Sequence, residues 1–264
     1  VELSYAQSGQ RGSQLFLSNS KLTVFDECEP DILWDGVVLT GSQYLSQSPI
    51  YQTRQPLLDM YNSTIEFAVN AISIGTISSS NGGGIVQLRN SNIKDCINGV
   101  SMYNYTNNNI SYFQNTEFFT TQALYNKGFT PDKHATLMLI NALTFRGCSF
   151  YNEVTTVPKV DMGKGIVAVY SDINVTSHCT SMFLPCPPQN VIRGSFANLE
   201  YGIQVALGNS ILINKNDFTD CYGGAWIVGN DGITVTENNF DIYDTHDYSS
   251  LYFDIFGLYL ESCT

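Results

Sequence analysis

Three charged side chains recur at one interval: Arg193, Lys215 and Glu237 follow one another 22 residues apart. Stacked on one outer face at the spacing of neighbouring strands, about 4.8 Å, they would set a lysine between an arginine and a carboxylate. A row of that kind can take a proton from a substrate or clamp an acidic one, which makes Lys215 and Arg193 the candidate catalytic residues. The favoured reading is the plainer one, a solvated ladder in which Lys215 and Glu237 pair for under about 1 kcal/mol. A second cluster lies between Asp241 and Phe256, where Asp244, His246, Asp247 and Asp254 gather. Carboxylate oxygens suit calcium, and Asp244, Asp247 and Asp254 are the candidate ligands. The segment lacks the D-x-D-x-D-G order of a dedicated calcium loop. It therefore reads as a solvated excursion whose Tyr243, Tyr248, Tyr252 and Phe253 pack on the flank of the fold. No cofactor other than calcium is implied. Zinc is excluded by the lack of a C-x2-C pair and by the wide separation of His134, His178 and His246.

Two further groups follow from side-chain direction and position. In Gly224-Ala225-Trp226-Ile227 the apolar neighbours Ala225 and Ile227 point inward, so strict alternation turns Trp226 outward. Tyr259 should follow it one coil later, with Leu258 and Leu260 inward. An exposed Trp and Tyr one rung apart form a flat apolar strip suited to sugar rings or to another protein, unless the Asp241 to Phe256 segment covers it. Cys179 and Cys186 flank a Pro-containing loop outside the strand pattern, and a disulfide closing that loop would fit an oxidising compartment. Cys96 and Cys221 occupy one repeat column and read as small buried apolar residues.

The elements that must position these groups are announced by the repeat itself. Gly194-Ser195-Phe196, Asn216-Asp217-Phe218 and Asn238-Asn239-Phe240 recur every 22 residues, with Val191, Ile213 and Val235 in one column and Gly202 and Gly224 in another. The segment from Ile65 to Ile74 matches that from Ile93 to Met102 at an offset of 28. Apolar residues alternate in short runs such as Ile203-Gln204-Val205, bounded by Asn, Gly, Asp and Ser, which is strand periodicity. No apolar stripe of helical period persists. A period of 22 is too short for a four-stranded propeller blade. The expectation is an all-β, right-handed parallel β-helix of about three short strands per coil, in coils of roughly 22 to 30 residues with loops inserted at corners. Asn-rich corners suit this because Asn tolerates left-handed backbone geometry, and Asn216 and Asn238 should form a short internal ladder.

The 264 residues read as a single domain, 1–264, because the repeat is continuous. Charged residues are only 14%, and the net charge is −12, so a phosphate-binding basic surface and nucleic acid as a partner are excluded. No apolar run approaches the roughly 18 residues of a membrane span. The chain opens at Val1 without an initiator methionine and stops just after Gly257-Leu258-Tyr259-Leu260, which suggests a segment of a longer secreted protein.

Trp34-Asp35-Gly36-Val37-Val38, Ser63 to Ala68, Leu143 to Phe150, Asn214 to Asp220 and Gly257 to Leu260 together resemble right-handed parallel β-helix repeat proteins of the pectin-lyase-like kind. The nearest likeness is to large cell-surface proteins of the Bacteroidetes. That resemblance implies export by the type IX secretion system and an extracellular or outer-membrane location. Polygalacturonases and pectate lyases share the fold, but their Asp-Asp, Gly-His-Gly and Arg-x-Pro-x-x-Arg signatures are absent, and a fold alone is not a site. The leading expectation is a structural, adhesive or recognition β-helix. Its partners would be a polysaccharide or a surface protein, together with the rest of its own chain. A carbohydrate-active enzyme, lyase before hydrolase, comes second, and a cargo or accessory part of a type IX secretion or gliding assembly third.

Overall fold

The fold was taken from a computed structural model, which describes residues 1–24, 32–50, 53–182, 185–242 and 255–263. The chain winds into a solenoid in which each coil contributes one strand to each of three parallel sheets. Among the described residues the first sheet has nine strands, running from Glu2–Ser4 through Asn98–Tyr105, Lys133–Ile140, Lys164–Val169, Tyr201–Ala206 and Gly223–Val228 to Phe256–Glu261. The second and third have eight strands each and end at Ile233–Thr236 and Asn239–Asp241. Every strand pair in the three sheets is parallel, and in-register partners differ by one coil. Among the described residues helix is confined to short pieces at corners, such as Gln122–Asn126.

Coil length varies more widely than the sequence suggests. Asn214 and Thr236 are partners 22 residues apart, whereas Ser149 and Ser195 stack across 46. The difference lies wholly in corner insertions, because inserting residues within a strand would break the register of every later rung.

Inward columns hold the stack together. Phe118, Phe150, Phe196, Phe218 and Phe240 form one continuous pile, with centroids 4.7, 4.8, 4.8 and 4.7 Å apart and nearly parallel planes. Rings at equivalent positions must repeat at the strand spacing, and that spacing is also within the range of favourable offset aromatic stacking. Cys96, Cys148 and Cys221 are buried in the same core. Leu258 and Leu260 continue the inward columns of Ala225 and Ile227, yet they are exposed, because no strand stacks beyond them among the described residues.

Corners turn through left-handed residues. Asn19, Asn62, Asn90 and Asn115 occupy one corner column with φ of 47 to 50°, and Asn115 Nδ2 donates to Asn90 Oδ1 at 2.8 Å. Asn suits this column because its short side chain lowers the usual penalty of left-handed geometry. Lys215 and Glu237 sit farther along the same corner at φ 57° and 54°. Behind them, Asn216 is fully buried, and its Nδ2 donates to Val175 O, Asn214 O and Asn238 Oδ1. Asn238 Nδ2 donates to Ile213 O, so the expected asparagine ladder is present.

Candidate functional site

The outward face of the first sheet, near its Phe256–Glu261 end, gathers a contiguous exposed aromatic surface with polar groups at its margin. Ile203, Val205, Ala225 and Ile227 are buried, and the pairing Gln204↔Trp226↔Tyr259 places the intervening residues outward in one column. Trp226 is 38% and Tyr259 42% exposed. The neighbouring column runs Lys164↔Tyr201↔Gly223↔Phe256. Gly223 matters here, since a Cβ on it would overlap the rings of both Tyr201 and Phe256. Its absence lets Tyr201 lie 6.1 Å from Phe256 and 6.2 Å from Trp226, while Phe256 lies 5.6 Å from Tyr259. Tyr222 meets Tyr201 edge-on at 6.0 Å. Two hollows flank Trp226. One, of about 300 Å³, is lined by Val160, Lys164, Glu200, Tyr201, Gln204 and Tyr222; the other, of about 210 Å³, is bounded by Val167, Val169, Ala206 and Val228.

The polar margin carries opposed charges. Lys164 Nζ lies 3.5 Å from Glu200 Oε2 and 5.8 Å from the centre of the Tyr201 ring. Burial pushes the Glu200 carboxyl above its ordinary range, with Lys164 acting in the opposite sense. The Tyr201 phenol is raised by burial and by the neighbouring Glu200. Lys133, one rung away in the Lys164 column, pairs with Asp132 at 2.5 Å. An aromatic floor whose neighbouring rings are tilted by 32 to 47°, edged by a donor, an acceptor and the Gln204 amide, can stack on the apolar face of a ring while hydrogen-bonding its hydroxyls.

The other candidate residues lie elsewhere. Arg193, Lys215 and Glu237 are at the corner between the second and third sheets, so they do not form a row on a sheet face. Arg193 Nε donates to both carboxylate oxygens of Asp217 at 2.8 and 2.9 Å, and its Nη2 reaches past Lys215 to Glu237 O at 2.8 Å. Lys215 Nζ faces Glu237 Oε2 at 3.5 Å, with both side chains at least one-third exposed. The corner fits the solvated ladder. Beside it, Cys179 and Cys186 are joined by a disulfide with Cα atoms 6.0 Å apart, at the base of a small antiparallel ribbon made by His178–Cys179 and Val191–Ile192. Asp244, Asp247 and Asp254, with His246, lie outside the described residues, as do residues 243–254 as a whole. Among the described residues no group of three His, Cys, Asp or Glu could hold a metal ion.

Trp226 and Tyr259 share an outward column, as the alternation of their strands requires, while the sequence did not single out their neighbours Lys164, Glu200, Tyr201 and Tyr222. Tyr201 and Tyr222 were within reach, because each immediately precedes a glycine of the first-sheet strands in the clean 22-residue repeat. Lys164 was hidden by the insertions on either side of its strand.

The sequence pattern of the family described as "Right handed beta helix region" matches residues 13–240. No curated protein and no solved structure matches the chain.

Proposed function

We propose that this chain, which belongs to the right-handed β-helix family, is a recognition segment of a secreted or cell-surface protein that binds glycan on the outward face of its first sheet. One observation carries the reading: Trp226, Tyr201, Phe256 and Tyr259 form a contiguous aromatic floor beside a hollow edged by Lys164, Glu200 and Gln204. Rigid aromatic surface that is already in place loses little conformational freedom on contact with a ligand. The nearly balanced charge at the margin favours neutral or weakly acidic sugars over phosphates. The location we propose is extracellular or at the outer membrane, reached through type IX secretion. The Cys179–Cys186 disulfide supports an oxidising environment.

Affinity electrophoresis in gels containing single polysaccharides tests the reading. At least one glycan should retard the chain, and Trp226→Ala should weaken that retardation at least tenfold, since a central aromatic anchor contributes about 2 kcal/mol or more. Phe16→Ala, which removes a 62% exposed ring from the second sheet, should leave it unchanged. Equal retardation of wild type and Trp226→Ala would refute the assigned face.

A second reading, a polysaccharide lyase, is favoured by Glu200, whose raised carboxyl stands beside Lys164 at the same hollow. It requires unsaturated products from an acidic polysaccharide, with calcium supplied, and loss of those products in Glu200→Gln. Silence across a panel of polysaccharides would remove it and leave binding alone.

A further inference from the structure

The corner between the third and first sheets contains a buried amine, a carboxamide and a carboxylate drawn from three separate parts of the chain. Lys159 begins a short 3-10 turn in the insertion between the strands Ser149–Asn152 and Lys164–Val169, and only 3% of it is exposed. Asn198 and Asp220 are successive corner residues with φ of 56° and 50°. The Lys159 ammonium donates to Asn198 Oδ1, to Asp220 O at 2.8 Å and to Asp220 Oδ2 at 3.0 Å. Asn198 is 7% exposed, and its orientation is fixed from the other end, where Nδ2 donates to Asn152 O at 2.6 Å and to Val154 O at 3.0 Å. The carboxamide oxygen is thereby turned toward the amine.

An amine in hydrogen-bond contact with a carbonyl oxygen is at most one C=O length, about 1.2 Å, farther from the carbonyl carbon. Lys159 Nζ is therefore held close to the separation from which an amine attacks Asn198 Cγ. Lys159 and Asn198 are both buried, which limits the access of competing nucleophiles from solvent, and the Asp220 carboxylate touches the same nitrogen.

We propose that Lys159 and Asn198 join in an intramolecular isopeptide bond, with Asp220 moving the protons. Asp220 takes a proton from the ammonium, and the neutral Nζ adds to Cγ. The Cγ–Nδ2 bond breaks as Asp220 delivers protons to the departing nitrogen, which leaves as ammonium. The Nζ–Cγ amide forms, two protons pass from Nζ to Nδ2 through Asp220, and nothing is oxidised or reduced. Asp220 is suited to this exchange because its side chain is partly exposed, at 35%, and can pass the product to solvent while Lys159 stays covered. The bond would staple the insertion at residues 153–163 to the coil that carries Asn198.

Intact mass and peptide mapping of the purified chain test the proposal directly. The chain should weigh one ammonia less than its disulfide-bonded sequence. Tryptic cleavage after Lys159 should be lost, and the peptides containing Lys159 and Asn198 should be recovered as one branched species. Asp220→Asn and Asn198→Ala should each restore the full mass and the cleavage. A wild-type chain of full mass, cleaved normally at Lys159, would overturn the proposal and leave the three groups as a buried hydrogen-bonded anchor. Loss of ammonia without a branched peptide would mark a succinimide at an asparagine and would overturn it equally.

Discussion

Lowering the pH should unfold this solenoid partly through one histidine. His134 lies in the strand Lys133–Ile140, is 4% exposed, and turns its ring toward Phe150 at a centroid distance of 6.3 Å. Its Nε2 is buried without a hydrogen-bond partner among the described residues. Burial alone pushes its pKa down to about 4 from an ordinary 6.5. The unfolded chain therefore binds a proton at this site below about pH 6.5, whereas the folded chain resists until about pH 4. Because the folded pKa is the lower one, stability falls as pH drops through that window, by up to about 1.4 kcal/mol per unit. Between pH 7 and pH 5 the contribution of His134 is on the order of 2 kcal/mol. His134→Leu keeps an apolar side chain in the site and removes the titration. Carboxylates such as Asp95 and Glu200, whose raised pKa values act in the opposite direction, are common to both proteins and cancel in the comparison. Urea unfolding at the two pH values should show wild type losing about 2 kcal/mol more than the variant. Equal losses would mean that the ring is hydrated or hydrogen-bonded in solution, and the reasoning would fail.

Other parts of the structure lead to further expectations. Phe196 is wholly buried and stacked on both sides, by Phe150 and Phe218; Phe196→Ala should cost about 3 to 5 kcal/mol in chemical denaturation, with Phe196→Leu well below that. Asn216→Ala leaves Val175 O and Asn214 O without a side-chain donor and should lower stability by about 2 to 4 kcal/mol in the same assay. Gly194→Ala should be destabilising as well, because a Cβ there would strike the Asn216 amide. Burial pushes the thiols of Cys96, Cys148 and Cys221 up to about 12. Iodoacetamide should therefore leave them unmodified in the native protein and label them after denaturation, as read by peptide mass mapping.

The inward columns were legible in the sequence because the core of a solenoid is one position repeated. Ile213 and Val235 declare themselves without any knowledge of the corners, whereas Val191, read into the same column, pairs with Cys179 in the antiparallel ribbon, and Val175 takes that place beside Ile213. Trp226 and Tyr259 were legible for the same reason, since once Ala225 and Ile227 are fixed inward the residue between them has only one direction left. Coil length was not legible, because an insertion at a corner leaves the flanking strands unchanged and the stack absorbs 46 residues between Ser149 and Ser195 as readily as 22 between Asn214 and Thr236. Lys164 and Glu200 were lost to the same cause. The Arg193, Lys215 and Glu237 column was read correctly as a column and misplaced on a face. Its corner geometry is written by Asn19, Asn62, Asn90 and Asn115 in earlier coils, while Lys and Glu carry no left-handed signal of their own.

That division has a consequence for how such a chain can acquire a function. The inner columns must repeat at the strand spacing, so the outer columns repeat at the same spacing whatever their residues are. A floor of aligned side chains is thus supplied by the fold. What the fold cannot supply is a wall, because a strand face is flat. Walls come only from corners, where length is unconstrained. Val160 reaches the hollow beside Trp226 from the insertion at residues 153–163, and Glu200 reaches it from the turn before Tyr201–Ala206. The same insertion contributes Lys159 to the buried contact with Asn198 and Asp220. An insertion that shapes one side of a binding hollow must itself be held still, and the groups that hold this one lie on the two coils that follow it. Rigidity of the wall and recognition at the floor are therefore coupled through Lys159. Lys159→Ala should loosen glycan retardation even though the residue touches no part of the aromatic face.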